Sequence, residues 1–448
     1  MKLLQHARSL VGSFYGQAIT NVEPDAITLR SATSLALKVA STTLSFIISL
    51  LLARTLSANG YGVYVYAIAW TNLLIGPSTL GFDRLLVRQV SVYGTEAAWS
   101  PMRGLMREAR RFTLVTSVGL SAAAALLVWV LVSPTDRQMR ATIWLALLSV
   151  PIMALITVQQ SIAQGLKQVI LAQLPITLIR PATFIIIILT LRAVTGAALL
   201  PSQAMGLNLI VTLLTLAIGG KLLSMILPKE VKASIAHQGE GWVRHAWPLF
   251  WLGSFYLLNS QMDTLMLGTM RAPNEVAVYN IANRMAELMT FTLIAVSVTI
   301  APTIAELWAR GEVERLQRVL KRSVRIIAAV SLPLAIGLLV FGSFVLRLFG
   351  PEFVVGYRAL VILTGGQMVN ALAGSVGLIL VMTNHERDVI IAHLLSLFVI
   401  VLLGSVLIPL WGIEGIAAAR FSSLIFWNIF LVSRVRSRLR INPTVFGR

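Results

Sequence analysis

Six charged side chains lie well inside long apolar stretches of this 448-residue chain. They are Lys38, Arg180, Asp263, Arg284, Glu287 and Arg420. An ionic group at membrane depth is costly unless it is paired or hydrated, so each one is a candidate functional residue. A desolvated carboxylate is suited to exchanging protons, and a cation is suited to attracting an anionic ligand.

Four of these groups also have a structural interpretation. Arg284 and Glu287 are three residues apart on a helix and could neutralise each other, or Asp263 could pair with Arg284 on the next helix. Arg180 is flanked by two prolines, and we expect it to donate to backbone carbonyls that the prolines leave without a partner. The sequence leaves pairing and ligand binding open for Asp263, Arg284 and Glu287.

The elements that position these side chains follow from hydropathy. Hydrophobic residues make up 57% of the chain and charged residues 12%, which is too apolar for a soluble protein. A helix that crosses a bilayer needs about 20 mostly apolar residues. Twelve stretches qualify, with approximate limits 32–54, 60–82, 112–132, 141–163, 172–191, 199–220, 246–268, 275–301, 325–346, 357–381, 389–408 and 413–433. We predict an all-α, polytopic membrane protein of twelve transmembrane helices.

The net charge of +19 is distributed as membrane topology requires. Most of the 37 Lys and Arg residues fall in the two tails and in the even-numbered loops. Basic residues accumulate on the cytoplasmic side, so we predict two cytoplasmic termini, a lead-in at 1–30 and a basic tail at 434–448. This distribution disfavours nucleic acid as a partner and favours membrane lipids. The chain has no cysteine, which excludes disulfides and thiolate metal sites.

Segments of the first half recur in the second half in the same order. "RTLSANGYGVYVYA" at 54–67 resembles "GTMRAPNEVAVYNIA" at 268–282, "REARR" at 107–111 resembles "RVLKR" at 318–322, and "LKQVILAQL" at 166–174 resembles "ERDVIIAHL" at 386–394. Their nearly constant separation predicts an internal duplication. We therefore predict two pseudo-symmetric six-helix lobes, at 31–220 and 246–433, joined by a cytoplasmic linker at 221–245. Transporters built from such parallel repeats handle substrate between their halves.

Polar side chains recur at helical spacing in predicted spans 1, 2, 7 and 8. They are Ser34, Lys38, Ser41, Ser45 and Ser49 in span 1; Tyr64, Thr71, Asn72 and Thr79 in span 2; Tyr256, Asn259, Ser260 and Asp263 in span 7; and Asn280, Asn283, Arg284 and Glu287 in span 8. A helix that lines a cavity carries such a stripe, so we predict a central hydrated lumen lined by these four spans. Spans 1 and 2 correspond to spans 7 and 8 in the repeat, so the stripes agree with the duplication.

The motifs of common enzymes and ATP-driven pumps are absent from the sequence. "GGKLL" at 219–223 is not a phosphate-binding loop, because Thr215 and Leu222 stand where that loop needs Gly and Ser or Thr. The five histidines show no metal-binding spacing. We predict a protein that is not an enzyme, holds no cofactor or metal, and transports its substrate by using a gradient.

Several longer motifs resemble one family of transporters. "LLARTLSANGYGVYVYAIAW", "LGFDRLLVRQ", "MDTLMLGTMRAPNEVAVYNIANRMAEL", "LRLFGPEF" and "LIPLWGIEGIAAARFS" are similar to the polysaccharide-exporting branch of the multidrug/oligosaccharidyl-lipid/polysaccharide flippase superfamily. The resemblance covers nearly all of the chain from the first span onward. It implies an inner-membrane flippase for undecaprenyl-pyrophosphate-linked oligosaccharide, an O-antigen or exopolysaccharide repeat unit. It also implies alternating access coupled to protons or sodium, and a polysaccharide polymerase complex as a candidate partner.

The polar residues of the lumen are assigned two roles on this basis. The predicted substrate-binding residues are Lys38, Arg84, Arg284, Asn259 and Asn280, with the three cations facing the pyrophosphate. Asp263 and Glu287 are predicted to couple transport to the ion. A multidrug antiporter for organic cations in the same superfamily is the main alternative, and a major-facilitator carrier is a weaker one.

Overall fold

The computed structural model describes residues 24–131, 136–196, 199–235, 241–442 and 444–445. Some side chains within these ranges, those of Ser34 and Tyr256 among them, lie outside the description. Residues 1–23 of the predicted lead-in and most residues after 442 in the predicted tail also lie outside it. All regular secondary structure in the described ranges is helical, which confirms the predicted all-α class.

Fifteen α-helices, one π-helical turn and one 3-10 helix make up the described part of the chain. In chain order they are α1 Pro24–Thr79, α2 Phe82–Thr95, α3 Trp99–Leu131, α4 Arg137–Gly165, α5 Val169–Leu174, the π-helical turn Pro175–Ile179, α6 Arg180–Thr195, α7 Pro201–Ile226, α8 Lys229–Ala233, α9 Trp242–Met270, α10 Pro273–Glu287, α11 Thr290–Ala309, α12 Val313–Arg347, the 3-10 helix Pro351–Gly356, α13 Tyr357–Ala373, α14 Val376–Met382 and α15 Glu386–Leu439.

The long helices of this set are apolar, as a multi-pass membrane protein requires. Among the described residues, eight helices are long and apolar enough to cross a membrane. The number is nine if the bent pair Pro351–Ala373 and Val376–Met382 counts as one span. The membrane-protein class is confirmed, whereas the predicted count of twelve spans stays a prediction.

Two of the longest helices each contain a break that coincides with a predicted loop. In α1 the break is Ser57, with φ of 63°, between predicted spans 1 and 2. In α15 it is Gly412, with φ of 55°, between predicted spans 11 and 12. The arms of α15 form a hairpin, because Ser396 Oγ and Ser423 Oγ lie 2.6 Å apart across the break. In each helix a single residue with positive φ thus replaces a longer loop. For this reason each broken helix counts as one candidate span, although it covers two predicted spans.

The two halves of the chain meet closely where the second arm of α1 passes the start of α10. A Cβ atom on Gly62 would lie 1.7 Å from the carbonyl oxygen of Pro273, so this backbone approach requires glycine. Close to the break in α1, the Arg54 guanidinium donates to the carbonyl of Leu348 at 2.7 Å. These contacts join the two halves of the chain near the break at Ser57.

Part of the predicted linker at 221–245 is helical and packs against the rest of the protein. α7 continues through Ile226, α8 follows, and Trp242 at the start of α9 is 7% exposed. Trp242 and Ala246 belong to a hydrophobic cluster most of whose other members, such as Phe82, come from the first half of the chain. α9 therefore begins against the first half, and the division into lobes at 31–220 and 246–433 stays a prediction.

Candidate substrate cavity

A cavity of about 310 Å³ lies between α1, α6 and α7 on one side and α9 and α10 on the other. Its wall includes three members of the serine stripe, Ser41, Ser45 and Ser49, together with Ser260 of α9 and Asn283 of α10. A cavity is therefore present where the sequence predicted a lumen. The prediction named four spans, whereas α6 and α7, which correspond to predicted spans 5 and 6, also contribute to the wall.

Arg284 connects the two halves of the chain at the cavity wall. Its guanidinium donates to the backbone carbonyl of Ser45 at 2.6 Å and also to the hydroxyl of Ser49, both on the first arm of α1. One turn earlier on α10, the amide oxygen of Asn280 accepts a hydrogen bond from the Tyr61 hydroxyl at 3.2 Å. Both side chains therefore attach α10 to α1 beside the cavity.

Arg180 is a second guanidinium on the wall, and it comes from the first half of the chain. It directly follows the π-helical turn, an irregularity that is frequent at functional sites in helices. Its guanidinium donates to the amide oxygen of Asn208 at 3.0 Å, and the Asn208 amide donates to the Tyr64 hydroxyl at 2.6 Å. This corrects the expectation that Arg180 donates to freed backbone carbonyls, because its described partner is a side-chain amide.

Asp263 is buried behind the wall, with 1% of its surface exposed. Its carboxylate accepts hydrogen bonds from the Tyr279 hydroxyl at 2.7 Å and from the Thr264 amide at 2.8 Å. Its ionic partner is Arg420 on α15, whose Nε lies 3.9 Å from the carboxylate. The Arg420 guanidinium also donates to the backbone carbonyl and the side-chain oxygen of Asn259, at 2.9 and 3.1 Å. We call Asp263, Tyr279, Arg420 and Asn259 the buried ionic cluster.

This arrangement corrects the expected pairing of charges. The alternative in which Asp263 pairs with Arg284 is wrong, because Asp263 faces Arg420 while Arg284 donates to α1. Glu287 accepts a hydrogen bond from the Asn283 amide at 3.0 Å, and the ion pairs among the described residues do not include one between Glu287 and Arg284. Glu287 instead presents an exposed carboxylate to the cavity.

The predicted site residues divide by position. Arg284, Asn280 and Glu287 line the cavity, and Asp263 and Asn259 lie in the buried ionic cluster behind it.

Two predicted substrate-binding cations are not brought to the wall. Lys38 is exposed on the first arm of α1, and Arg84 is half-buried on α2. Lys38 continues the serine stripe along α1, but the cavity ends before it. Arg84 belongs to a helix that lies beyond the end of the second arm of α1.

Sequence reasoning did not place Arg180 and Asn208 in the lumen. Neither belongs to a polar stripe, so helical periodicity could not indicate them. The available indication was the pair of prolines around Arg180, since proline disrupts the helical hydrogen-bond pattern at the place where the structure has a π-helical turn. With Arg180 included, the charged residues of the described cavity wall are two arginines and Glu287.

Solved membrane transporters share this arrangement of helices. A multidrug resistance MATE family transporter of the MOP superfamily, in its inward-facing conformation, matches with a TM-score of 0.71 and 13% identity over 89% of this chain and 95% of the other. The lipid II flippase MurJ, in its inward closed conformation, matches with a TM-score of 0.68 and 15% identity over 90% of this chain and 87% of the other. These likenesses show that the chain has the fold of MOP-superfamily transporters.

Family models narrow this class. A model described as "Polysaccharide biosynthesis protein" matches residues 29–308, and a model described as "MatE" matches residues 248–407. The first match covers more than half of the chain, so the protein belongs to the polysaccharide biosynthesis protein family. The resemblance to the multidrug/oligosaccharidyl-lipid/polysaccharide flippase superfamily is thereby confirmed.

Two relatives from Haloferax volcanii are similar to part of the chain. "Probable low-salt glycan biosynthesis flippase Agl15" is 27% identical over 168 residues, which are 37% of this chain and 35% of the relative. "Probable flippase AglR" is 24% identical over 228 residues, covering 46% of this chain and 43% of the relative. The chain thus matches less than half of the length of each.

Proposed function

We propose that this protein is a flippase for a lipid-linked oligosaccharide with a pyrophosphate head. The observation that carries the proposal is the pair of guanidinium groups, Arg180 and Arg284, that reach one cavity from opposite halves of the chain. Glu287 is the one carboxylate of the described wall, so the wall has a net positive charge. Guanidinium groups bind phosphate oxygens through two parallel hydrogen bonds. The family match and the relatives' names support a glycan as the rest of the substrate.

In this structure both arginines donate hydrogen bonds to neutral oxygen atoms of the protein. A bound pyrophosphate can replace these atoms as the acceptor. Arg284 donates to Ser45 and Ser49, and Arg180 donates to Asn208. Hydrogen bonds to charged oxygens are roughly twice as strong as those between neutral groups. A head group that takes over Arg284 therefore also removes a link between α10 and α1. Substrate binding thus favours separation of the two halves at this point, since a ligand shifts an equilibrium by its differential affinity for the two states.

The uncharged polar residues of the cavity wall can bind the sugars of the substrate. Asn72, Gln261, Ser260 and Asn283 present amide and hydroxyl groups to the cavity, and these can exchange hydrogen bonds with sugar hydroxyls. We propose undecaprenyl as the lipid and an O-antigen or exopolysaccharide repeat unit as the glycan. We place the protein in the inner membrane with both termini cytoplasmic, as a transporter without catalytic activity, working beside a polysaccharide polymerase.

We assign coupling to the buried ionic cluster and favour a proton over sodium. The groups around the Asp263 carboxylate are the Tyr279 hydroxyl, the Thr264 amide and the Arg420 guanidinium, which direct hydrogens or positive charge at it. Sodium needs several oxygen ligands with their lone pairs turned toward the ion. A proton needs one carboxylate oxygen, so we propose a proton as the ion that acts at Asp263. Glu287 on the cavity wall is the second candidate for this role.

An antiporter for organic cations is the second candidate function. The observation in its favour is the Glu287 carboxylate, which is exposed to the cavity and can pair with a cationic ligand. The "MatE" match at 248–407 includes this residue. The two arginines of the wall oppose it, because they repel a cation.

The two functions are separated in proteoliposomes that contain the full chain. Arg180→Gln and Arg284→Gln should each slow translocation of a labelled undecaprenyl-pyrophosphate oligosaccharide by about tenfold to a hundredfold, the effect of losing hydrogen bonds from a charged donor. The corresponding Lys variants should retain an intermediate rate, because they keep the charge but not the planar guanidinium. Uptake of an organic cation, measured in the same vesicles, should stay at the level of empty vesicles.

The control variants carry the same change outside the wall. Arg192→Gln, at the exposed end of α6, should translocate within about twofold of the unaltered protein, as exposed substitutions usually do. Lys38→Gln and Arg84→Gln should behave like this control if the wall alone binds the head group. If both the Arg180 and the Arg284 variants translocate the oligosaccharide at the unaltered rate, the flippase proposal is wrong. If the vesicles take up the organic cation and this uptake requires Glu287, the protein is an antiporter instead.

A further inference from the structure

Two helices at equivalent positions in the predicted repeat are longer than a bilayer is thick. α3 has 33 residues and α12 has 35. At 1.5 Å per residue each is about 50 Å long, whereas the hydrocarbon core is about 30 Å thick. Apart from Val313 at the start of α12, the exposed large apolar side chains lie in the later part of both helices, from Leu114 in α3 and from Ile326 in α12. The first turns of both helices therefore lie at the level of the lipid headgroups.

Exposed arginines occupy these first turns at matching positions. Arg107 and Arg111 are exposed on α3, and Arg318 and Arg322 are exposed on α12. In each helix the two arginines are four residues apart and so lie on one face. They belong to the segments "REARR" and "RVLKR" that the duplication relates. We call Arg107 with Arg111, and Arg318 with Arg322, the basic stripes.

Each basic stripe runs directly into a surface that faces lipid. Four residues after Arg111 comes Val115, which is 64% exposed, and four residues after Arg322 comes Ile326, which is 47% exposed. The same helix face thus changes from guanidinium to aliphatic within one turn. A ligand that fits it has an anionic group joined to an apolar chain.

The four arginines of the basic stripes stand apart from the hydrogen bonds and ion pairs seen in the described part of the chain. Within the described residues, the basic stripes make no hydrogen bond or ion pair, whereas neighbouring arginines do. Arg103 donates to the backbone carbonyl of Lys232 at 2.7 Å, and Arg315 lies 3.2 Å from Glu312. Glu108 is the acidic group close to the stripe of α3, and its charge is outweighed there by three arginines at 107, 110 and 111. On α12, Glu314 lies four residues before Arg318, but Lys321 and Arg325 lie close to Arg322, so both stripes retain positive charge.

We propose that the two basic stripes bind the phosphate headgroups of anionic phospholipids, one site on each half of the chain. Guanidinium groups near an anionic leaflet gain about a fivefold increase in binding each. The aliphatic continuation of each stripe holds the upper part of the acyl chains. This site lies on the outside of the helices, so it does not depend on what the cavity carries. It anchors both halves to the same leaflet while they move relative to each other.

The test measures lipid binding to the purified full chain in detergent by native mass spectrometry. Phosphatidylglycerol and phosphatidylcholine of equal chain length are titrated separately. Arg107→Gln with Arg111→Gln, or Arg318→Gln with Arg322→Gln, should weaken phosphatidylglycerol binding at one site by about 25-fold, the product of about fivefold for each arginine. The variant with all four changes should lose both sites, and Lys at the four positions should retain them. Phosphatidylcholine binding should not change.

Two controls accompany this test. Arg192→Gln removes an exposed arginine from the end of α6 and should keep both sites. Thermal unfolding of each variant should match that of the unaltered chain, which excludes a folding defect. Unchanged phosphatidylglycerol binding by the fourfold Gln variant overturns the proposal. Equal loss of phosphatidylcholine binding, or displacement of phosphatidylglycerol by millimolar inorganic phosphate, overturns it as well, since the occupant would then be any lipid or a free anion.

Discussion

Replacing Asp263 by Asn tests whether the buried ionic cluster couples transport to an ion or only stabilises the packing of its helices. The change preserves the shape of the side chain, and the remaining oxygen can still accept from the Thr264 amide. It removes the negative charge that lies 3.9 Å from Arg420. Two unit charges at this distance attract each other by about 4 kcal/mol at an effective dielectric constant of about 20.

The net effect on stability is smaller than this attraction. Arg420 keeps its two hydrogen bonds to Asn259, and its side chain is 14% exposed, so it is not fully desolvated. We expect Asp263→Asn to lower the free energy of unfolding by about 2 to 3 kcal/mol, near the upper limit for two groups in contact. Adding Arg420→Gln should recover part of this loss. Adding Arg284→Gln should not, because Arg284 donates to α1 and not to Asp263.

The functional readout is translocation in proteoliposomes with and without an imposed proton gradient. Asp263→Asn should bind the lipid-linked oligosaccharide but show no acceleration by the gradient, because the side chain can no longer take up a proton. The Asp263→Asn, Arg420→Gln protein should regain stability without regaining that acceleration. If Asp263→Asn responds to the gradient like the unaltered protein, the coupling role is refuted and Asp263 braces α9 to α15.

Two further predictions concern the contacts between the halves. Ser49→Ala removes a side-chain acceptor of Arg284 and should cost about 1.5 to 3 kcal/mol in thermal unfolding, whereas Ser45→Ala should be nearly neutral because its acceptor is the backbone carbonyl. Gly62→Ala should destabilise by about 1 to 3 kcal/mol, because the added Cβ meets a backbone oxygen. Gly119→Ala, where the added atom meets nothing within 4 Å, is its control and should be neutral or stabilising.

The helical class and much of the cavity were predictable because both depend on local periodicity. Apolar stretches of sufficient length indicate helices wherever they occur. The serines at 41, 45 and 49 repeat at the helical period, and all three line the cavity. The same rule failed at Lys38, which continues the stripe beyond the end of the cavity. Periodicity identifies the face of a helix but not how far along that face the cavity extends.

The partners of the charged residues could not be predicted, because they depend on which distant helices pack together. Arg284 and Asp263 are near each other in sequence, yet Arg284 donates to α1 and Asp263 pairs with Arg420 on α15. Arg180 reaches the cavity through the π-helical turn, and no periodic pattern encodes such a turn. The breaks at Ser57 and Gly412 are likewise single residues that hydropathy does not detect.

Helix α10 is the element that the cavity and the buried ionic cluster have in common. Its Tyr279 hydroxyl donates to Asp263, while the next residue, Asn280, accepts a hydrogen bond from Tyr61 of α1. One turn further, Arg284 holds α1 through Ser45 and Ser49. Protonation of Asp263 would weaken the hydrogen bond from Tyr279, because a neutral carboxyl is a poorer acceptor than a carboxylate. A pyrophosphate that takes over Arg284 would loosen the opposite face of the same helix. In the proposed function, proton and substrate would therefore both act on the attachment of one short helix, and this physical link would couple the gradient to movement of the two halves.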